Sequence, residues 1–559
     1  MIDSEIFTEQ AEYLSGALFR KWSISHQNES EIIRKLTQAG AKLITGPRGC
    51  GKTTLMLKAY NRLLKGSGST GFPVYVNFKS SLKLEPLYKN NTNAAYWFNQ
   101  WILMKILLGI YETLDELSNN RVLFRLNVFL IRKNIELLEL GRIDLLRSEE
   151  ERVTVTDIHD FTDKCCEALE KTRCILLLDD AGHAFSSDQQ KDFFEFFRQV
   201  KSRSISPKAA VYPGVINYSS SFHIGHDAEE IDVWVKPGSE GYLEFMHSLL
   251  ESRFEKDVFS RLMSEKNLLN LLCFAAYGIP RSLLNMISSF YDEEDDKPLK
   301  LDNKKVLKAI KNNFNETYAV YESLKIKLPM YRNFVDAGSS FYEGSLKIIK
   351  EFNKGGDIKK QSSIIAVKRP ISSELTKVVG FFQYAGLLSR NGISNRGEKG
   401  VYELFELHYS ALIERNVFFS SRAINSENYC YAFLNRPNHH YPRHTESSLL
   451  SNKSVDEVFS LALPPCDVCK TPRISNDAKF CMNCGAKLKD ASVFEDIVSQ
   501  DILCLPITSK RALSIKSNSN IKTVKDILMD HDNKELRSVS MIGPIWARKI
   551  RSYAEEFIA

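Results

Sequence analysis

The eight residues Gly46-Pro-Arg-Gly-Cys-Gly51-Lys52-Thr53 constrain this chain more than any other stretch. They fit G-x-x-x-x-G-K-[ST], and they stand where that pattern has physical meaning. An apolar run, Ala41-Lys-Leu-Ile-Thr45, precedes them as a predicted strand, and TTLMLKAYNRLL follows as a predicted helix. Glycines let successive backbone N–H groups curl round an anion, and the helix N-terminus adds the positive end of its dipole. The segment therefore predicts a phosphate-binding turn in an α/β sheet. Gly46, Pro47, Arg48, Gly49, Cys50, Gly51, Lys52, Thr53 and Thr54 are its candidate contacts. Lys52 would reach the β- and γ-phosphates of ATP, and Thr53 would ligate Mg²⁺.

A second element belongs with the first. Ile175-Leu-Leu-Leu-Asp179-Asp180 is an apolar run ending in two acids, the pattern of a buried strand whose end meets a cation. Asp179 would hold Mg²⁺ through water. Asp180 stands where many ATPases carry a glutamate that activates the attacking water. Being one methylene shorter, it predicts slow hydrolysis or a switch; capping the next turn is its bland alternative.

With both halves in place the chain resembles AAA+ ATPases of the origin-recognition-complex, or initiator, branch and its bacterial relatives, over about residues 30–425. The resemblance implies further site residues. Asn217, in YPGVINYSSSF, matches the polar sensor 1 that reads the γ-phosphate. Arg281, in Tyr277-Gly-Ile-Pro-Arg281, matches the lid arginine, sensor 2. Arg198 or Arg203 is the candidate arginine finger. The catalytic set is thus Asp180, Asn217 and Arg281. Two departures stand out: the long interval from Lys52 to Asp179 implies a helical insertion near 95–150, and the doubled aspartate also resembles STAND ATPases, which are ligand-triggered switches.

Residues 370–388 read as a helix with Leu375, Val378, Val379 and Phe382 on its apolar face. A basic, glycine-rich tip between two strand patterns follows, and the whole resembles a winged helix. Lys377, Arg390, Arg396 and Lys399 are its candidate phosphate contacts. Cys466-Asp-Val-Cys469 and Cys481-Met-Asn-Cys484-Gly485 are two C-x-x-C knuckles separated by 11 residues. Four thiolates so spaced predict a closed, structural Zn²⁺ site on Cys466, Cys469, Cys481 and Cys484. Residues 503–559 resemble the C-terminal domain of the bacterial RNA polymerase alpha subunit, with a helix-hairpin-helix in which Gly543 would present its N–H to a phosphate and Arg548, Lys549 and Arg551 follow. Met541 departs from the small or polar residue usual there.

Charge supports a local reading only. The chain of 559 residues carries a net +6, while Thr508–Ala559 holds 10 Lys+Arg against 6 Asp+Glu. At 43% hydrophobic and 26% charged the chain reads as an ordinary folded protein. No apolar run reaches the roughly 20 residues that span a bilayer, and MIDSEIFTEQAEYL lacks a signal pattern; the expectation is a cytoplasmic protein with no membrane partner. The expected fold class is α/β: a P-loop AAA+ core over 1–235, a helical lid over 236–300, a winged helix over 301–424, a flexible linker over 425–462, a zinc ribbon over 463–490 and a small all-α helix-hairpin-helix module over 491–559. An acidic break, Tyr291-Asp-Glu-Glu-Asp-Asp296, reads as a solvated linker.

The leading function is an ATP-dependent AAA+ switch that hydrolyses ATP and associates with nucleic acid, DNA favoured over RNA, as an oligomer or in a complex with a partner. Prokaryotic mobile-element or phage-defence biology is its setting, on resemblance alone. The alternative is a STAND-like regulatory ATPase whose C-terminal modules bind a protein effector.

Overall fold

The structure, a computed structural model, describes the chain except residues 1–3, 9, 67–69, 86, 88–92, 118–126, 147–151, 182–185, 291–299, 355–360, 419–425, 435–439, 451–454, 474–477, 479, 489–492, 541 and 559. The acidic break at 291–296 and Met541 lie outside the described residues.

Five strands, β1 (Lys42–Thr45), β2 (Gly71–Asn77), β3 (Arg173–Asp179), β4 (Ile205–Val211) and β5 (Glu229–Asp232), form one sheet in the order β2-β3-β4-β1-β5, every pairing parallel. Parallel strands need crossovers, crossovers put helices on both faces, and the central strands must then be apolar on both sides. β3 shows this directly. Ile175 and Leu177 pack with Leu55, Met56 and Leu63 on one face, while Leu176 and Leu178 pack with Phe98, Trp101 and Phe194 on the other. The first face is covered by α1 (Lys52–Lys65). The second carries the helical insertion, α2 (Ala94–Glu116) and α3 (Val128–Glu139), and also α4 (Ser187–Val200).

Beyond the sheet come the lid helices α5 (Tyr242–Arg253), α6 (Lys256–Ser264), α7 (Lys266–Ala275) and α8 (Pro280–Ser288). Pro280 opens α8, where its missing N–H costs nothing. The winged helix comprises α9 (Asn303–Glu322), α10 (Arg332–Asn353), β6 (Ile364–Lys368), α11 (Ser373–Ala385), β7 (Leu388–Asn395) and β8 (Val401–Leu407). Leu375, Val378, Val379 and Phe382 are fully buried on α11, and β7 and β8 pair antiparallel round the tip. Lid and winged helix share one apolar cluster, which runs from Leu250 and Phe274 through Ile310 and Phe341 to Phe382.

The flexible linker expected over 425–462 is corrected in part. Helix α12 (Ser426–Leu434) buries Tyr429, Cys430 and Phe433, and Phe433 stacks on Tyr409 at 3.9 Å. Strand β9 (Arg443–His444) adds to β6 in parallel. The composition lacks periodicity, but a few aromatic anchors suffice to seat such a segment in an existing groove. At the C-terminus α13 (Val493–Val498), α14 (Ser509–Asn518), α15 (Val524–Met529), α16 (Lys534–Ser538) and α17 (Pro544–Ile558) close round their own cluster of Ile497, Ile515, Ile527, Leu536 and Ile550.

Candidate nucleotide site

In a parallel sheet, ligands gather where the strands end. β1 runs into the loop Gly46–Gly51 and then α1. Gly51 takes the left-handed conformation, φ 99°, at the N-cap of α1, with no side chain capping the helix. The first-turn N–H groups are thereby left for a ligand. A cavity of about 160 Å³ is lined by Arg48 to Thr54, Asp180, Tyr212 and Arg281. Gly46 and Pro47 contribute from behind: their carbonyls accept from Lys52 Nζ at 2.8 and 3.1 Å. That ammonium also lies 3.8 Å from the centroid of the Tyr212 ring, and burial pushes its pKa down.

Asp179 ends β3 with no exposed surface. The Tyr75 hydroxyl donates to it at 2.9 Å, and Thr53 also hydrogen-bonds to it. Burial, then the charges of Asp180 and Glu12, push its carboxyl up to about 8. One carboxylate oxygen each from Glu12, Asp179 and Asp180 lie within 4.8 Å of one another. Asp180 sits at φ 52°, a conformation aspartate tolerates better than most residues. The turn it makes brings its carboxylate to the cavity. Asn77, at the end of β2, donates to Asp180 at 3.2 Å and to Glu12 at 2.6 Å. A crowded, buried carboxylate set next to a threonine hydroxyl is an oxygen donor set that a divalent cation neutralises.

Not every expected residue arrives. Asn217 lies six residues past the end of β4, and its side chain donates to Gln190 Oε1 at 2.9 Å. It is not among the residues lining the cavity. Tyr212, directly after β4, takes that place, and its hydroxyl donates to Asp180 at 3.4 Å. The strand-end rule would have found Tyr212. No sequence signal marks Glu12 or Asn77. Arg198 pairs with Glu195 on the solvent-facing side of α4, Arg203 is exposed, and neither lines this cavity.

The ribbon cysteines come together. Cys466, Cys469, Cys481 and Cys484 place all four sulfurs within 4.8 Å of one another, with Cys466–Cys484 at 3.6 Å and Cys469–Cys481 at 3.4 Å. Tetrahedral zinc with bonds of about 2.3 Å needs sulfurs roughly 3.8 Å apart. The two knuckles match: Lys470 N donates to Cys466 O and Gly485 N to Cys481 O, each at 2.9 Å, and both residues take φ near 60–70°. The residues present fit the metal.

The basic candidates divide. Arg390 is paired with Glu403 at 2.5 Å, Arg396 donates to the Tyr441 hydroxyl, and Lys377 lies half-buried against Tyr331 and Phe381, where burial pushes it down to about 8. Lys399 is exposed at the tip. Arg551 donates to the carbonyls of Asp530 and Leu528 and pairs with Glu555, so it braces the module. Gly543 and Arg548 are exposed at the start of α17.

A parallel sheet with a P-loop, a paired-acid strand end, a helical lid and a winged helix defines an AAA+ ATPase fold. The chain belongs to the ORC-CDC6-like family, whose model matches residues 123–433, more than half of the chain. The match begins beyond the P-loop and includes Asp179, Arg281 and the winged helix. Among solved structures the chain is similar to the Aeropyrum pernix Orc1 protein in complex with DNA, at 13% identity over 71% of this chain and 95% of that one, with a TM-score of 0.27. It is also similar to Cdc6p from Pyrobaculum aerophilum, at 15% identity over 74% of this chain and 98% of that one, with a TM-score of 0.28. No curated protein matches it. No described helix is long and apolar enough to cross a membrane.

Proposed function

We propose that the chain binds ATP with Mg²⁺ at the P-loop, hydrolyses it slowly, and uses the nucleotide state to control association with nucleic acid, DNA before RNA. The supporting observation is the convergence of Arg48, Lys52, Thr53, Asp180 and Arg281 on one cavity at the carboxyl end of the sheet, with Asp179 directly behind. Mg²⁺, when bound, would supply positive charge to neutralise the charge that develops on the phosphates. Thr53 and Asp179 would hold it, and Lys52 would leave its loop carbonyls for phosphate oxygens. Asp180 would orient the attacking water. Zn²⁺ on Cys466, Cys469, Cys481 and Cys484 would hold the ribbon folded, since residues 463–488 contribute to none of the apolar clusters among the described residues.

Nucleic-acid association rests on Lys399 at the wing tip and on Gly543, Arg548 and the basic excess of the tail. The setting in mobile-element or phage-defence biology rests on the family resemblance and that of the tail. A second reading, the STAND-like switch with a protein effector, draws on the ribbon: Val468, Phe480 and Met482 are 73%, 61% and 79% exposed there. Two measurements test the first. Lys52→Ala should abolish ATP binding while the far-ultraviolet spectrum is unchanged; wild-type binding would end the nucleotide-site reading. DNA affinity should fall steeply with salt, and each phosphate contact removed should flatten the log–log slope by about 0.9. Salt-insensitive or absent nucleic-acid binding would favour the effector reading.

A further inference from the structure

Residues 10–13 touch both the nucleotide site and the C-terminal helix. Glu12, in the short turn Ala11–Tyr13, faces Asp179 and Asp180, and the Asn77 amide ties it to Asp180. Gln10 lines the same cavity, and both Gln10 and Tyr13 also reach the C-terminal helix. Gln10 Nε2 donates to Ser552 Oγ at 2.5 Å, and the Tyr13 hydroxyl donates to Glu555 Oε2 at 3.2 Å. Both partners stand on α17, the C-terminal helix. Lys79 braces the arrangement: its ammonium donates to Gln10 Oε1 at 3.1 Å and lies 5.7 Å from the centroid of the Tyr13 ring.

We propose that Glu12 is a third carboxylate of the nucleotide site, one that shares with Asp180 the orienting of the attacking water, and that α17 holds it in place. The inference rests on the nucleotide-site reading above. Asp180 is a methylene short of the usual glutamate and already shares its oxygens with Asn77 and Tyr212. Glu12 has the longer reach, lines the same cavity, and is fixed beside Asp180 by a common donor. In the reaction, the water oxygen bonds to the γ-phosphorus. The bond from that phosphorus to the bridging oxygen breaks, and its electron pair leaves on ADP. The proton departs on the inorganic phosphate. Glu12 accepts a hydrogen bond from the water and fixes its line of attack. Gln10, Tyr13, Ser552 and Glu555 are positioning residues.

The test uses the full chain, with Mg·ATP affinity and single-turnover phosphate release measured separately. Glu12→Gln should bind Mg·ATP within about twofold of wild type and release phosphate about a hundredfold more slowly. Tyr13→Phe with Ser552→Ala should lower kcat severalfold at unchanged KM, and should lower it no further in the Glu12→Gln background. The proposal is overturned if Glu12→Gln turns over at the wild-type rate, or if it loses binding and turnover in equal measure. If the wild-type chain binds no ATP, the nucleotide-site reading itself falls. If the wild type hydrolyses and Glu12→Gln matches it, only the role of Glu12 falls.

Discussion

Tyr384, near the end of α11, accepts two hydrogen bonds from Arg48 of the phosphate loop: its carbonyl takes the Arg48 N–H at 3.3 Å and its hydroxyl takes the guanidinium at 3.4 Å. The winged helix thus grips the loop that would hold the phosphates. Beside it Gly214, after β4, and Gly380, on α11, bring two backbones into contact. The phosphate loop and the winged helix are thus in direct contact, with no linker between them.

That contact predicts the effect of one methyl group. A Cβ on Gly380 would lie 2.4 Å from the Gly214 Cα, backbone against backbone, where no rotamer relieves it. Gly380→Ala should cost about 1–3 kcal/mol, read as a lower Tm and faster proteolysis between the two parts. Gly344→Ala is the control. Its Cβ would meet only Leu449 O, at an ordinary 3.6 Å, and should leave the Tm unchanged or slightly raised. Equal effects of the two would mean that the Gly214–Gly380 contact is not formed in solution.

Tyr212 should matter for its ring. Tyr212→Ala removes the aromatic face over the Lys52 ammonium and should weaken ATP binding about tenfold, within the range of a desolvated cation–π contact. Tyr212→Phe keeps the face and should bind nearly as wild type. Asn217→Ala, acting through Gln190, should lower stability more than turnover. The reverse pattern, measured by calorimetric titration and phosphate release, would restore Asn217 as the γ-phosphate sensor.

Elemental analysis of protein purified without chelator should give about one zinc per chain, because four thiolates make one closed tetrahedral site. Cys481→Ser should release the metal and unfold the ribbon, leaving ATP affinity unchanged. A zinc-free wild type that remains folded over the ribbon would show that the knuckles need no metal.

His408 predicts acid sensitivity. It is fully buried, 4.9 Å from the Tyr277 ring, and its Nδ1 accepts from Ser410 N at 3.2 Å. Burial pushes it from 6.5 down to about 3. Between those values the unfolded chain binds a proton that the folded chain refuses. Stability is therefore lost as pH falls through this window, by up to about 1.4 kcal/mol per unit. His408→Asn keeps an acceptor for Ser410 and removes the titration. Urea denaturation from pH 6.5 to 4 should then show a shallower loss than wild type; identical slopes would exclude His408 as the source.

Sequence alone determined what local rules can carry. The P-loop spacing, the apolar run ending in Asp179, the apolar face of α11 and the paired C-x-x-C knuckles each encode their geometry within a few residues, because backbone turns and strand or helix periods are short-range. The sheet order, the seating of Tyr212 in place of Asn217 and the approach of Glu12 were decided by the tertiary structure. They bring together residues as distant as Glu12 with Asp180 and Arg48 with Tyr384, and no period or spacing reports such a meeting. The same holds for α12 and β9, joined by a polar, proline-bearing stretch that reads as a tether. Grooves built by α7, α9 and β6 give their few aromatic residues somewhere to be buried, and burial, not local propensity, orders them.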